Sequence, residues 1–315
     1  QRRALLALSL AAAPLLARPG LVRAQPARPV VVASFTILGD MVREVAGERV
    51  ALRVIAGPDA DAHRFQPRPS DAQALRGAAL VERNGLCFEG WMDRLLRAAG
   101  GTPRVVTATE GLVPRSMAAH AHGHSHGHSH GARGAQRSVP DPHAWQDLRL
   151  AGIYLRNIVA GLAAADPAGA EAYRANAAAW EARLDALDAW VRREIGTVPQ
   201  ARRKVVTSHD AFGYFGAAYG VEFLAPQGVS TEAEPSAAEV ARLIRQIRAE
   251  GITAVFMENM ANPATLERLA REAGVAVRGR LYADALSAAE GPAPSYEAMF
   301  RHNVGVLVPA MRGAA

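Results

Sequence analysis

The chain has 315 residues, half of them apolar and 21 % charged. That composition excludes a disordered chain and supplies a large core, at the boundary between one domain and two, and no apolar run reaches the roughly 18–20 residues that span a bilayer. The formal charge of +6 sets 36 Lys and Arg against 30 Asp and Glu, but Arg2, Arg3, Arg18 and Arg23 sit in the first 24 residues, which hold no acid. Without that segment the balance is 32 against 30, with no basic block or interleaved aromatics, so a nucleic-acid partner is not expected. The single cysteine, Cys87, excludes an internal disulfide framework and a multi-cysteine zinc site.

Residues 1–24 open on Arg2-Arg3, continue through an apolar stretch from Ala4 to Ala17 and end at Val22-Arg23-Ala24. A basic start, a short apolar stretch and a small residue at a cleavage point read as an export signal, by the general or the twin-arginine route. No Cys lies near that point, which argues against a lipid-anchored mature N-terminus. The expected location is the periplasm of a Gram-negative bacterium, where a lone cysteine suits an oxidising environment.

Val30–Ser34 reads as a buried strand. Leu38, Met41, Val42 and Val45 follow at helical spacing and stop at Gly47, and Val50–Ile55 alternates as a second strand. Ser70 with Gln73 predicts a capping box for a helix through Ala74 and Leu75. Ala78–Val81 and Val105–Thr107 are the third and fourth strands. Met117–Pro140, rich in His, Gly, Ser and Ala without apolar period, reads as a flexible loop. From Asp166 to Ile195, Trp180, Leu184, Leu187, Val191 and Ile195 mark one apolar stripe on a long helix. Beyond it the pattern recurs: Val205–Ser208 matches Val31–Ser34 at an offset of 174, Ser236 and Glu239 form a capping box, and Ile252–Met257 is a strand. Strands alternating with helices make this an α/β protein with parallel sheets. The repetition predicts two similar lobes joined by one rigid helix. The expected division is an export signal at 1–24, an N-terminal lobe at 25–160 with the His-rich loop at 117–140, a linking helix at 161–197 and a C-terminal lobe at 198–315.

The ten histidines divide by position. His120, His122, His124, His126, His128 and His130 alternate with Gly, Ser or Ala in the loop, a pattern that lets several imidazoles converge on one zinc, copper or nickel ion. His302 lies in a C-terminal helical pattern and reads as structural. His63, His143 and His209 fall in loops or at strand ends, where parallel sheets collect ligands. A fourth ligand has to be a carboxylate: Asp284 leads and Glu258, at the end of Ile252–Met257, is its rival. Three imidazoles and one carboxylate match the four N/O ligands of tetrahedral Zn2+. The sequence holds neither a His-Glu-x-x-His helix nor a Gly-x-Ser-x-Gly turn.

The ordered set Asp61-Ala62-His63, Asn84-Gly85-Leu86, Phe88-Glu89-Gly90-Trp91, Asp141-Pro142-His143-Ala144-Trp145, Thr207-Ser208-His209-Asp210-Ala211-Phe212 and Leu281-Tyr282-Ala283-Asp284-Ala285-Leu286-Ser287 resembles the periplasmic zinc- and manganese-binding proteins of cluster A-I that feed ABC importers. The likeness covers nearly the whole mature chain. Glu258-Asn259-Met260-Ala261-Asn262-Pro263 and Arg301-His302-Asn303-Val304 look most like the AztC-type zinc branch. The resemblance implies two lobes with metal in the cleft, His63, His143, His209 and Asp284 as ligands, and Zn2+ as cargo, because the manganese branch carries Glu where His209 stands. It implies a monomer that is not an enzyme, with an ABC permease as partner and a periplasmic zinc metallochaperone as a candidate donor to the His120–His130 loop. Glu258 is then a neighbour of the ligands or a substitute for one. Cys87 falls where the motif has no thiol, and reads as a buried residue or an oxidation-sensitive neighbour of the site. The competing readings are a manganese-binding homologue, a zinc hydrolase with Glu258 as general base, and a buffer that binds metal through the His loop alone.

Overall fold

A computed structural model describes residues 28–118 and 138–313. The predicted export signal and His120 to His130 lie outside the described residues.

The first lobe runs β1 (Val30–Phe35), α1 (Thr36–Ala46), β2 (Ala51–Ala56), α2 (Pro69–Arg76), β3 (Leu80–Arg83), α3 (Met92–Ala99) and β4 (Arg104–Thr107). Its four strands are all parallel, in the order β2-β1-β3-β4. β1 reads as an unbroken apolar run because both faces are covered, as parallel sheets require: five of its six residues are buried. α1 stops where expected, at Gly47, whose φ of 55° favours a residue without Cβ. The cap of α2 differs from the prediction. Pro69 takes the first turn, and the Asp71 carboxylate accepts the N–H of Arg68 at 2.8 Å. Ser70 is therefore already inside the helix: with Pro69 in its first turn the cap falls at Arg68, two residues earlier than predicted.

β5 (Ser116–Ala118) and β6 (Ser138–Pro140) pair antiparallel at the two ends of the undescribed segment. Then follow α4 (Ala151–Ala165) and α5 (Ala170–Gly196). Leu148–Ala165 has the length and mean hydropathy (1.3) of a bilayer span. Arg149 and Arg156 interrupt it, so it is not a continuous apolar run, and it packs against α5, α1 and β4. α5 begins later than the stripe suggested, since Pro167–Gly169 forms a separate 3-10 turn. Its 27 residues span about 40 Å.

The second lobe runs β7 (Lys204–Val206), α6 (Gly213–Tyr219), β8 (Glu222–Leu224), α7 (Ala237–Glu250), β9 (Val255–Glu258), α8 (Pro263–Ala273), β10 (Val277–Leu281) and α9 (Tyr296–Arg312). The sheet order β10-β9-β7-β8 is that of the first lobe with β7, β8, β9 and β10 in the places of β1, β2, β3 and β4. The repeat read from the sequence is thus a repeat of topology. Ser236 caps α7 as predicted, its N–H donating to Glu239 Oε2 at 2.8 Å.

The stripe of α5 is buried along its length: Trp180, Leu184, Leu187, Val191 and Ile195 are each at most 1 % exposed. Each such side chain contributes about 1.5–3 kcal/mol. α5 packs against α1 and α4 on one side of the molecule and α9 on the other. One apolar cluster runs without a break from Val31 and Leu38 through Trp180 and Leu187 to Phe256 and Leu307. The helix links the two lobes as part of a shared core.

Candidate metal centre

His63 lies in the segment between β2 and α2. The Asp61 carboxylate shapes the turn, its Oδ1 accepting the N–H groups of His63 at 3.0 Å and Arg64 at 3.3 Å. The same device recurs at His143. Asp141 Oδ1 accepts the His143 N–H at 3.0 Å and lies 2.8 Å from its Nδ1, which makes Nδ1 the donor and leaves the Nε2 lone pair facing the cleft. His209 follows β7 by three residues instead of ending it. There Glu258 Oε1 accepts the N–H groups of Ser208 and His209, each at 2.9 Å, while Oε2 stands 2.5 Å from His209 Nδ1. Asp284 follows β10. Asn303 of α9 binds both the N–H and the carbonyl of Tyr282, and Trp145 Nε1 and Gln146 Nε2 both donate to the Ala283 carbonyl. The chain just after the first lobe's His143 is thereby tied to the residue that precedes the second lobe's Asp284.

These elements bring the four side chains to one point. His63, His143, His209 and Asp284 each offer a ligand atom, all within 4.8 Å of one another. His63 Nε2 is 3.3 Å from His143 Nε2 and 3.4 Å from Asp284 Oδ2; His143 Nε2 is 3.5 Å from Asp284 Oδ1, and His209 Nε2 is 3.1 Å from Asp284 Oδ2. A tetrahedron with bonds of 2.0–2.1 Å has edges of about 3.4 Å, so these four contacts fit an ion at the centre. His209 Nε2 and both Asp284 oxygens form no hydrogen bond among the described residues. Buried polar atoms in that state are costly, and a cation at the point of convergence would satisfy them together. His143, His209 and Asp284 are 0 % exposed and His63 is 4 %. The edges of Phe88 and Trp145 line the imidazoles of His63 and His143, which keeps water out and strengthens charge interactions inside.

Burial disfavours charge on His63, His209 and Asp284, yet the fields of neighbouring groups decide the outcome at two of them. At His209, Glu258 and Asp284 overcome burial and hold the pKa well above the usual imidazole value. At Asp284, His209 and His143 overcome burial and hold it well below the usual carboxylate value. At His63 burial prevails over Asp284, and the pKa is lowered.

Glu258 stands behind His209, on the side away from the convergence. His302 lies apart, its Nε2 2.9 Å from the Arg280 carbonyl. Cys87 is exposed, not buried, with a φ of 63°. Asp61 and Asp141, which orient His63 and His143, were given no role from the sequence. The signal was present in the repeated Asp-x-His spacing, where an Asp side chain reaches the N–H two residues on.

Residues 31–310 match the family described as "ZnuA: Zinc-uptake complex component A periplasmic". The manganese-binding lipoprotein MntA of Halalkalibacterium halodurans is 31 % identical over 282 residues, covering 89 % of this chain and 88 % of its own. The iron-binding protein YfeA of Yersinia pestis is 30 % identical over 277 residues, covering 88 % and 84 %. The structure of the periplasmic zinc-binding protein TroA of Treponema pallidum superposes with a TM-score of 0.79 at 29 % identity, covering 90 % of this chain and 99 % of that one. The fold and the matched span define a solute-binding protein of a metal ABC importer, not an enzyme, and the hydrolase reading falls. The chain belongs to the ZnuA family of extracytoplasmic metal-binding components, whose partner is a membrane permease.

Proposed function

We propose that this protein captures Zn2+ in the cleft through His63, His143, His209 and Asp284 and passes it to its permease. The observation that carries the metal is the donor set: three imidazoles and one carboxylate converging at tetrahedral spacing. Imidazole suits zinc, whereas manganese is served by oxygen ligands. Glu258 fixes the His209 ring from behind and is not a ligand. Residues 1–24 act as a cleavable export signal to the periplasm, and the protein works there as a monomer. His120, His122, His124, His126, His128 and His130 collect zinc for the cleft, from solution or from a periplasmic metallochaperone.

The test is a chelator-competition titration of the whole chain with Zn2+ and Mn2+. One tight Zn2+ site is expected, with Mn2+ bound far more weakly, and His209→Glu should shift the preference toward Mn2+. Because the relatives named for manganese and iron are as similar as those named for zinc, equal competition by Mn2+ would establish the manganese reading instead. Deleting 118–138 should leave the tight site in place; its loss would move the binding function to the His tract.

A further inference from the structure

The four proposed ligands are not equivalent, and the difference has a direction. The side chains of His143, His209 and Asp284 are 0 % exposed, whereas that of His63 is 3 %. His143 is held from behind by Asp141, and His209 by Glu258. Among the described residues His63 has no carboxylate at Nδ1. Its polar contacts are its N–H to Asp61 and its Nε2 toward His143 and Asp284. His63 also forms part of the wall of a cavity of about 410 Å³, together with Cys87, Val139, Glu232 and Glu234. A neighbouring cavity of about 400 Å³ is lined by Asp61, Arg64 and Ser208 but by none of the four.

We infer that the metal enters and leaves the centre past His63, through the larger cavity; this rests on the ligand assignment proposed above. The space suffices. Six waters at about 30 Å³ each occupy about 180 Å³, so a hydrated dication fits and can shed its water stepwise. Glu232 and Glu234 place negative charge on the wall, partly offset by Arg64, 3.7 Å from Glu234. Such a wall raises the local concentration of cations. At the inner end His63 is the ligand with least holding it, so it can turn aside while His143, His209 and Asp284 stay fixed. The ion then exchanges at one vertex of the tetrahedron.

Cys87 provides the test, since it is the single cysteine, is exposed and lies in the cavity wall. In the full chain it is labelled with methyl and then benzyl methanethiosulfonate, and Zn2+ association and dissociation are followed by stopped flow against a fluorescent zinc indicator. An obstructed path slows both directions equally. The benzyl label should lower both rate constants together, by about tenfold, with Kd unchanged, and reduction of the label should restore them. Val139→Trp, which narrows the same cavity without chemistry at the thiol, should act in the same sense. Rates unaffected by complete benzyl labelling would overturn the route, as would a changed Kd with unchanged association. His143→Ala is titrated alongside. Retention of wild-type zinc affinity there would overturn the ligand assignment itself, whatever the rates do.

Discussion

His209 stands between two anions, Glu258 at Nδ1 and Asp284 at Nε2. Burial opposes its charge, but the two carboxylates prevail and raise its pKa well above the usual value. The ring of the metal-free chain therefore keeps its proton to higher pH than a free imidazole, and a metal can take Nε2 only as that proton leaves. Zinc binding should release protons, and affinity should fall on acidification. Calorimetry in two buffers of different ionisation enthalpy reads this directly; an observed enthalpy independent of buffer would contradict it. A second residue sets a pH dependence of the opposite kind. Glu82 on β3 is 0 % exposed, and neither carboxylate oxygen has a hydrogen-bond partner among the described residues. By register its counterpart in the second lobe is the buried Phe256, so a carboxyl occupies a slot built for an apolar side chain. Burial alone pushes its pKa well above the usual range. The folded chain keeps a proton that the unfolded chain releases, so stability falls as pH rises from the ordinary glutamate value toward the folded one. Glu82→Gln should match the wild type near pH 4 and melt several degrees higher at pH 8. Equal melting at both would show that the carboxyl has found a partner.

At the scale of elements, the two capping boxes separate what sequence spacing conveys from what it misses. Ser236 and Glu239 cap α7 as their spacing predicts. For α2 the same pattern at Ser70 and Gln73 yields to Pro69, and Asp71 becomes the capping group. Asp71→Ala should therefore cost about 1 kcal/mol, while Ser70→Ala, exposed within the helix, should fall within about 0.5 kcal/mol of wild type; urea melts distinguish the two, and the reverse order would restore the predicted cap. The alternation of strands and helices, the repeat and the stripe of α5 were legible because each is a periodicity of apolar residues. His63, His143, His209 and Asp284 were legible as candidates because three isolated histidines followed strands or loops of a parallel α/β pattern. The choice between Asp284 and Glu258 was not, because both end or follow strands of the same sheet. Only the register shows that Glu258 reaches back to the N–H groups of Ser208 and His209 while Asp284 faces the cleft.

At the scale of the whole molecule, the centre joins segments that lie far apart in the chain. His63 and His143 precede α5, and His209 and Asp284 follow it. The lobes are already bound through α5 and one continuous apolar cluster, so the fold does not need the metal to hold together. Metal then adds to stability by mass action, as a ligand that binds only the folded state. At a free Zn2+ concentration of 1,000 times Kd the gain is about 4 kcal/mol. For a chain of this size the unfolding entropy of about 2.1 cal/mol/K per residue makes each kcal/mol worth about 1.5 °C in melting temperature, so the whole shift should be about 6 °C. Asp284→Ala separates fold from site. It removes the only anion among the four proposed ligands, and with it the 3.1 Å contact to His209 Nε2, while the apolar cluster that joins the lobes stays intact. The metal-free variant should melt within a few degrees of the metal-free wild type, and the zinc-dependent rise should largely vanish. A variant that unfolds without metal would make Asp284 a structural element first, and one that keeps the full rise would return the fourth ligand to Glu258 or to water.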